Sequence, residues 1–320
     1  MKLDFVSWFK KSSQEWGGQL LLDEPLSRHT YYRIGGPASI FAVPKSLADL
    51  QWLAQGIAAT GCSFFILGQG SNLLVSDEGF CGLVIRIHRL NLEISSRQIY
   101  GGLMIRTGAS VVCSSLLRRA SHEGWSGLEF LTGIPGSMGG VVTMNAGTHL
   151  GEAQGRLRKV EVFHLQKGSP EKAVRLQSFE GEQLKFQYRK NLFVPRGSVI
   201  WAAEWQVEQK DPIQVKSVID ETLLRRKATQ PIDFPSCGSV FKNPKGSGKS
   251  AWQVIDLLGL RGFRIGDAQF SEKHSNFIIN LGSAQSTDVR KLIELAKTRA
   301  QQELGIFLEE EVIYLDKLTQ

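Results

Sequence analysis

The segment Gly133-Ile134-Pro135-Gly136-Ser137-Met138-Gly139-Gly140, followed closely by Asn145-Ala146-Gly147, sets four glycines, a proline and a serine within eight residues. Glycine has no side chain to hold a ligand away. It also tolerates the positive φ angles that turn several backbone N–H groups toward one point. Such a nest suits an anion, phosphate above all. A second loop of the same kind, Gly68-Gln69-Gly70-Ser71-Asn72, follows the apolar run Phe64-Phe-Ile-Leu67. Either loop alone reads equally well as a tight turn. Together they favour a cofactor site for a ligand with two phosphates, such as a dinucleotide.

The surrounding pattern must hold both loops in place. Ser39–Val43 reads as a strand. Ser46–Ala59 reads as a helix with Leu47, Leu50, Leu53, Ala54 and Ile57 on one face, and Ser63–Leu67 as a returning strand. This β-α-β unit favours parallel strands. The first glycine loop lacks the third glycine of the Rossmann fingerprint. It runs into Leu73-Leu-Val75, which looks like further strand and not a helix, so loops are expected to hold the phosphates. Further strands are expected at Gly82–His88, Leu103–Thr107, Lys159–Leu165 and Val199–Val207, with a helix at Ser110–His122. Gln209-Lys-Asp-Pro212 reads as a linker. Beyond it come helices at Ile213–Lys227, near Trp252–Leu258 and at Thr287–Leu304, with strands at Asn276–Asn280 and Glu311–Leu315.

Bulk properties narrow the choice. The 320 residues allow two or three domains, and 42% hydrophobic with 22% charged residues is ordinary for a soluble globular chain. A net charge of +7 suits an anionic ligand; acids interspersed among the bases argue against a nucleic-acid partner. Cys62, Cys81, Cys113 and Cys237 show no metal-type spacing and suggest a reducing, cytoplasmic setting. Asp4, Lys10 and Lys11 interrupt the N-terminal apolar residues, and no run approaches a membrane span, so neither export nor a membrane is expected.

Seven motifs, in order, carry a resemblance to a known family. They are Thr30-Tyr-Tyr-Arg33-Ile-Gly-Gly-Pro37, Leu67-Gly-Gln-Gly-Ser-Asn72, Gly127-Leu-Glu-Phe-Leu-Thr-Gly-Ile-Pro-Gly136 and Tyr188-Arg189. Pro235-Ser-Cys-Gly-Ser239-Val-Phe-Lys242-Asn243-Pro244, Ser271-Glu-Lys-His274 and Leu308-Glu-Glu-Glu311-Val follow. From about residue 22 onward the chain resembles the UDP-N-acetylenolpyruvoylglucosamine reductases, the MurB family, in its shorter subtype. The resemblance implies an α+β or α/β protein with a two-lobed FAD-binding domain of the vanillyl-alcohol-oxidase (PCMH) type over residues 1–210, its lobes at about 20–85 and 86–210. A smaller α/β substrate domain would cover 211–320, with the last strand, about 308–316, closing it or returning to the first domain.

By the same resemblance, FAD is non-covalent and NADPH is the co-substrate. The reaction is reduction of UDP-N-acetylglucosamine enolpyruvate to UDP-N-acetylmuramate for peptidoglycan, and a monomer is expected. Hydride leaves flavin N5 for the terminal carbon of the vinyl ether, and charge builds on the adjacent carboxylate. Arg189 would stabilise that charge, with Glu311 either orienting Arg189 or donating a proton. Ser239 would protonate the neighbouring carbon. Cofactor contacts are carried onto Arg33, Gly68, Gln69, Gly70, Ser71, Asn72, Gly133, Ile134, Pro135, Gly136, Ser137, Gly139, Gly140, Asn145 and Gly147; substrate contacts onto Tyr188, Lys242, Asn243 and His274.

Two departures from the family pattern fall at Lys190-Asn191 and at Ser250-Ala-Trp252-Gln-Val-Ile255. They bear on local substrate contacts and leave the proposed catalytic atoms in place. Two rival readings stand beside the first. One is an FAD oxidase or dehydrogenase of another sugar or hydroxy acid; the other is a non-catalytic nucleotide or nucleic-acid binding module.

Overall fold

A computed structural model describes residues 2–12, 16–165 and 176–316. The expected β-α-β unit is present. Pro37–Val43 leads into the Leu47–Thr60 helix, and Phe64–Leu67 returns. Ser46 opens the helix with a capping box to Asp49, and Gly61, at φ 63°, closes it in the left-handed conformation. Both strands pair in parallel with Phe80–Arg86, which lies between them, and Gln19–Pro25 adds an antiparallel edge. The Gln19–Pro25 strand was not expected from the sequence. Its exposed and half-buried residues alternate too irregularly to announce a strand.

The second lobe is an antiparallel sheet built on the long strand Ser198–Gln209, flanked by Leu157–His164 and Gly102–Gly108, with Leu176–Glu180 and Ile94–Ile99 at its edges. Ile94–Ile99 also escaped the sequence reading, because its middle four residues are polar and exposed on an outer strand. The helix expected from Ser110 starts at Cys113 instead. Val112 bridges Ser137, and the Cys113 N–H donates to the Gly136 carbonyl at 3.0 Å, so the preceding residues are held by the second glycine loop.

The expected linker is not one. The strand runs through Gln209, and the Asp211 side chain caps the Pro212–Thr229 helix by accepting from Ile213 N. Val215 and Ile219 of this helix are buried in the second lobe's core.

Beyond residue 230, a four-stranded sheet packs against the Ala251–Leu257 and Ser286–Leu304 helices. Its core admits Tyr32, Ile34 and Leu74 from the first lobe. Asp77 of the first lobe accepts from Ser286 N at 2.7 Å and Thr287 N at 3.1 Å, capping the last helix across the boundary. The final strand, Ile313–Leu315, pairs in parallel with Leu73–Val75, directly after the first glycine loop. Among the described residues, no helix is long and apolar enough to cross a membrane.

Candidate active site

A cleft of about 1480 Å³ opens where the two lobes and the C-terminal unit meet. Gly68, Gln69, Gly70, Ser71 and Asn72 line it, as do Gly133, Ile134, Pro135, Gly136, Ser137, Gly139, Gly140 and Gly147. Among the described residues, the backbone N–H groups of residues 68–72 donate to no protein acceptor, and neither do those of Gly136, Ser137 and Gly140. A Cβ added at Gly68 or Gly140 would have only Ser137 Oγ nearby, at 3.4 and 3.8 Å. One at Gly136 would meet Ile134 at 3.5 Å and Ser71 at 3.9 Å. These loops therefore present free donors to open space, which is what a diphosphate requires. Gly70 serves differently. At φ 67° its added Cβ would lie 2.4 Å from the His29 carbonyl, so close backbone approach demands glycine there. Unlike the first loop, the second runs into a short helix, Met138–Thr143, which the glycines had obscured in the sequence.

Arg189 reaches the cleft from a two-residue turn between Phe186–Gln187 and Lys190–Asn191. Its φ of 59° is costly for a residue with a side chain. Arg33 at φ 57° and Asn145 at φ 41° share this feature at or beside the cleft. Arg189 Nε lies 2.9 Å from Glu311 Oε1, an ion pair whose N–H does not point along the contact. Its Nη1 donates to the Gly147 carbonyl at 3.2 Å. Burial pushes the Glu311 carboxyl up; Arg189 pulls it back, and burial prevails.

Three segments are stitched together around Glu311. Its N–H donates to the Val240 carbonyl at 2.8 Å, one residue past Ser239. The Asn72 amide donates to the Glu311 carbonyl at 3.1 Å, and Ile313 N donates to Asn72 O. Ser239 faces the same cleft, after Gly238 at φ 84° in an irregular stretch of the Ser236–Ser239 strand. Neighbouring Cys237 is buried, and burial pushes its thiol up to about 12, which suits a packed thiol and not a nucleophile. The glutamates at 309, 310 and 311 disperse to three cations, Lys242, Lys297 and Arg189.

Arg33, Asn243 and His274 also line the cleft. Burial lowers the His274 pKa, with Arg261 and Arg226 acting in the same direction, and its Nδ1 is buried without a partner. Asn145, Tyr188 and Lys242 are not on the cleft wall. The Asn145 amide is spent on the Gln187 carbonyl and Gln154 N–H. Tyr188 is exposed, with the Arg189 guanidinium 5.1 Å above its ring, and Lys242 is neutralised by Glu309. The sequence reading missed Thr222, Arg225 and Arg226, which bring the end of the Pro212–Thr229 helix into the cleft. The basic run Arg225-Arg-Lys227 was the available signal.

A lobe with parallel strands and an antiparallel lobe, their open glycine loops on a cleft with a third, smaller unit, suit a phosphate-bearing cofactor, and the matches define the class as a flavin-binding oxidoreductase. Residues 38–169 match the family described as FAD binding domain, and residues 230–315 match UDP-N-acetylenolpyruvoylglucosamine reductase, C-terminal domain. A UDP-N-acetylenolpyruvoylglucosamine reductase of Trichlorobacter lovleyi is 42% identical over 97% of this chain and 95% of its own length. That of Heliobacterium modesticaldum is 38% identical over 94% and 92%. The crystal structure of the reductase (MurB) from Thermus caldophilus superposes with a TM-score of 0.73, at 35% identity, covering 93% of this chain and 98% of that one. The chain belongs to the UDP-N-acetylenolpyruvoylglucosamine reductase family and is an FAD-dependent oxidoreductase. The open loops fit FAD: they offer unpaired N–H groups and lack the Cβ atoms that would close the cradle.

Proposed function

We propose that this enzyme reduces UDP-N-acetylglucosamine enolpyruvate to UDP-N-acetylmuramate for peptidoglycan synthesis in the cytoplasm, with NADPH as the reductant. The glycine loops would hold FAD, which would supply hydride transfer between NADPH and the vinyl ether. Residues 1–210 would hold the flavin and 211–320 the substrate, with the last strand returned to the flavin side. One observation carries the reading: Arg189, Glu311 and Ser239 share one cleft with the open glycine loops.

Each side chain has a definite task in this reading. Arg189 holds the substrate carboxylate, and its positive charge gains most as negative charge builds there, the differential binding that catalysis needs. Glu311 fixes the guanidinium through the ion pair. Ser239 donates a proton to the carbon bearing the ether oxygen; a neutral hydroxyl suffices because an enediolate carbon is strongly basic. His274 and Asn243, which line the same cleft, would contact the nucleotide end.

An anaerobic half-reaction tests the reading. The bound flavin is bleached with NADPH, the enolpyruvyl substrate is added, and the yellow absorbance is followed. Rapid return of colour is expected. A flavin that reduces yet stays bleached would overturn the assigned substrate and send the search to other sugars and hydroxy acids.

A further inference from the structure

The cleft wall also carries exposed apolar side chains among its cations. Ile232, Phe234 and Trp252 all line it, and Trp252 is 42% exposed. Scattered exposed apolar side chains are ordinary, but three lining one cleft suit the apolar part of a ligand. Trp252 is also held firmly. The Asn243 side chain accepts from Ala251 N at 3.0 Å, and Ser275 Oγ donates to the Trp252 carbonyl at 2.9 Å. The indole therefore stands on a backbone pinned between the loop after Ser239 and the loop bearing Lys273 and His274.

A cation sits on the same side of the helix. Asp256 is one turn beyond Trp252, so the two share a face, and Asp256 binds Arg261 through Nε–Oδ1 at 3.0 Å and Nη2–Oδ2 at 2.5 Å. Arg261 lines the cleft as well. An exposed indole and a guanidinium held by Asp256, both lining one cleft, match a base joined to a diphosphate. A base can stack on the exposed ring, whose backbone is already pinned.

We propose that Trp252 is the stacking platform for the pyrimidine base of the nucleoside diphosphate end of the substrate. This rests on the function proposed above and adds the side chain that sets nucleotide affinity. Titration calorimetry of oxidised holoenzyme with UDP, and separately with NADP+, tests it. Trp252→Ala is expected to weaken UDP by about 5- to 150-fold, the range of one lost base stack, and Trp252→Phe to recover most of that loss. NADP+ affinity should stay within about twofold, by the same stacking argument.

Unchanged UDP affinity in Trp252→Ala, with flavin retained, would overturn the platform while leaving the reaction intact. Equal weakening by alanine and phenylalanine would reduce Trp252 to a packing residue and overturn it too. Loss of NADP+ affinity in place of UDP affinity would hand the platform to the reductant and reject this assignment. Wild-type enzyme that neither binds UDP nor reoxidises with the enolpyruvyl sugar would remove the underlying function, a result distinct from the other three.

Discussion

Arg106 and Arg226 are both partly buried arginines, yet their surroundings are opposite. Arg106 stands on the second lobe's sheet with Glu161 at 2.6 Å, Glu93 at 3.2 Å and Glu204 at 3.9 Å. The hydrogen bond to Glu161 is the main reason its pKa rises further. Arg226 lies against Gly133 on the cleft wall; burial lowers its pKa, and among the described residues no carboxylate pairs with it. A charge balanced inside the protein supports the fold. A charge left unbalanced in a cleft costs stability until an anion arrives. The sheet surrounds Arg106 with its own carboxylates, whereas the cleft, among the described residues, pairs Arg226 with none.

The largest expected effect falls on the cleft. Arg189→Ala should slow flavin reoxidation by the enolpyruvyl sugar by roughly 10²- to 10³-fold, far more than it slows reduction by NADPH. Stopped-flow traces of the two half-reactions check this, and equal losses in both would point to a folding defect. Next, Arg226→Met should weaken binding of diphosphate ligands by about tenfold, measured by titration, while raising the apoprotein's melting temperature. A variant that loses both affinity and stability would erase the contrast with Arg106.

Arg106→Met is the converse case. It should cost about 1–2 kcal/mol in urea unfolding, because Glu93, Glu161 and Glu204 lose a shared partner at a partly exposed site. Flavin kinetics should not change. The smallest effect is on pH dependence. Burial lowers the pKa of His29, His88 and His274 from the ordinary 6.5. The unfolded chain takes up these protons before the folded chain does. Their contribution to stability is therefore present above about pH 6.5 and is lost as pH falls through the depressed values. Urea midpoints at falling pH should decline, and His88→Leu should flatten that decline.

Much of the scaffold was legible because local rules decide it. The Leu47–Thr60 helix announces itself by apolar spacing, a Ser46 cap and a closing Gly61. The Phe64–Leu67 strand is an apolar run ending in glycine. Edge strands such as Ile94–Ile99 were hidden because polar residues cover them and only pairing with Gly102–Gly108 makes them strands. The supposed linker at 209–212 failed for a similar reason. Polar residues there extend a sheet and cap a helix, two roles that composition cannot separate from a loop.

Within the site, glycine's backbone freedom was enough to propose the nests, whereas Arg189, Ser239 and Glu311 were carried by the resemblance of their motifs to a known family. Their meeting was decided elsewhere. Residues from 72, 189, 240 and 311 converge because the last strand pairs with Leu73–Val75 and Glu311 N reaches the Val240 carbonyl. The fates of neighbouring charges were settled at the same level: Lys242 is neutralised by Glu309, while Arg226 is left facing the cleft. The amino-acid sequence by itself determined the chemistry on offer, because chemical type and local backbone freedom travel with each residue. Only the tertiary structure decided which groups share one charged cleft, because that depends on contacts between residues far apart in the chain.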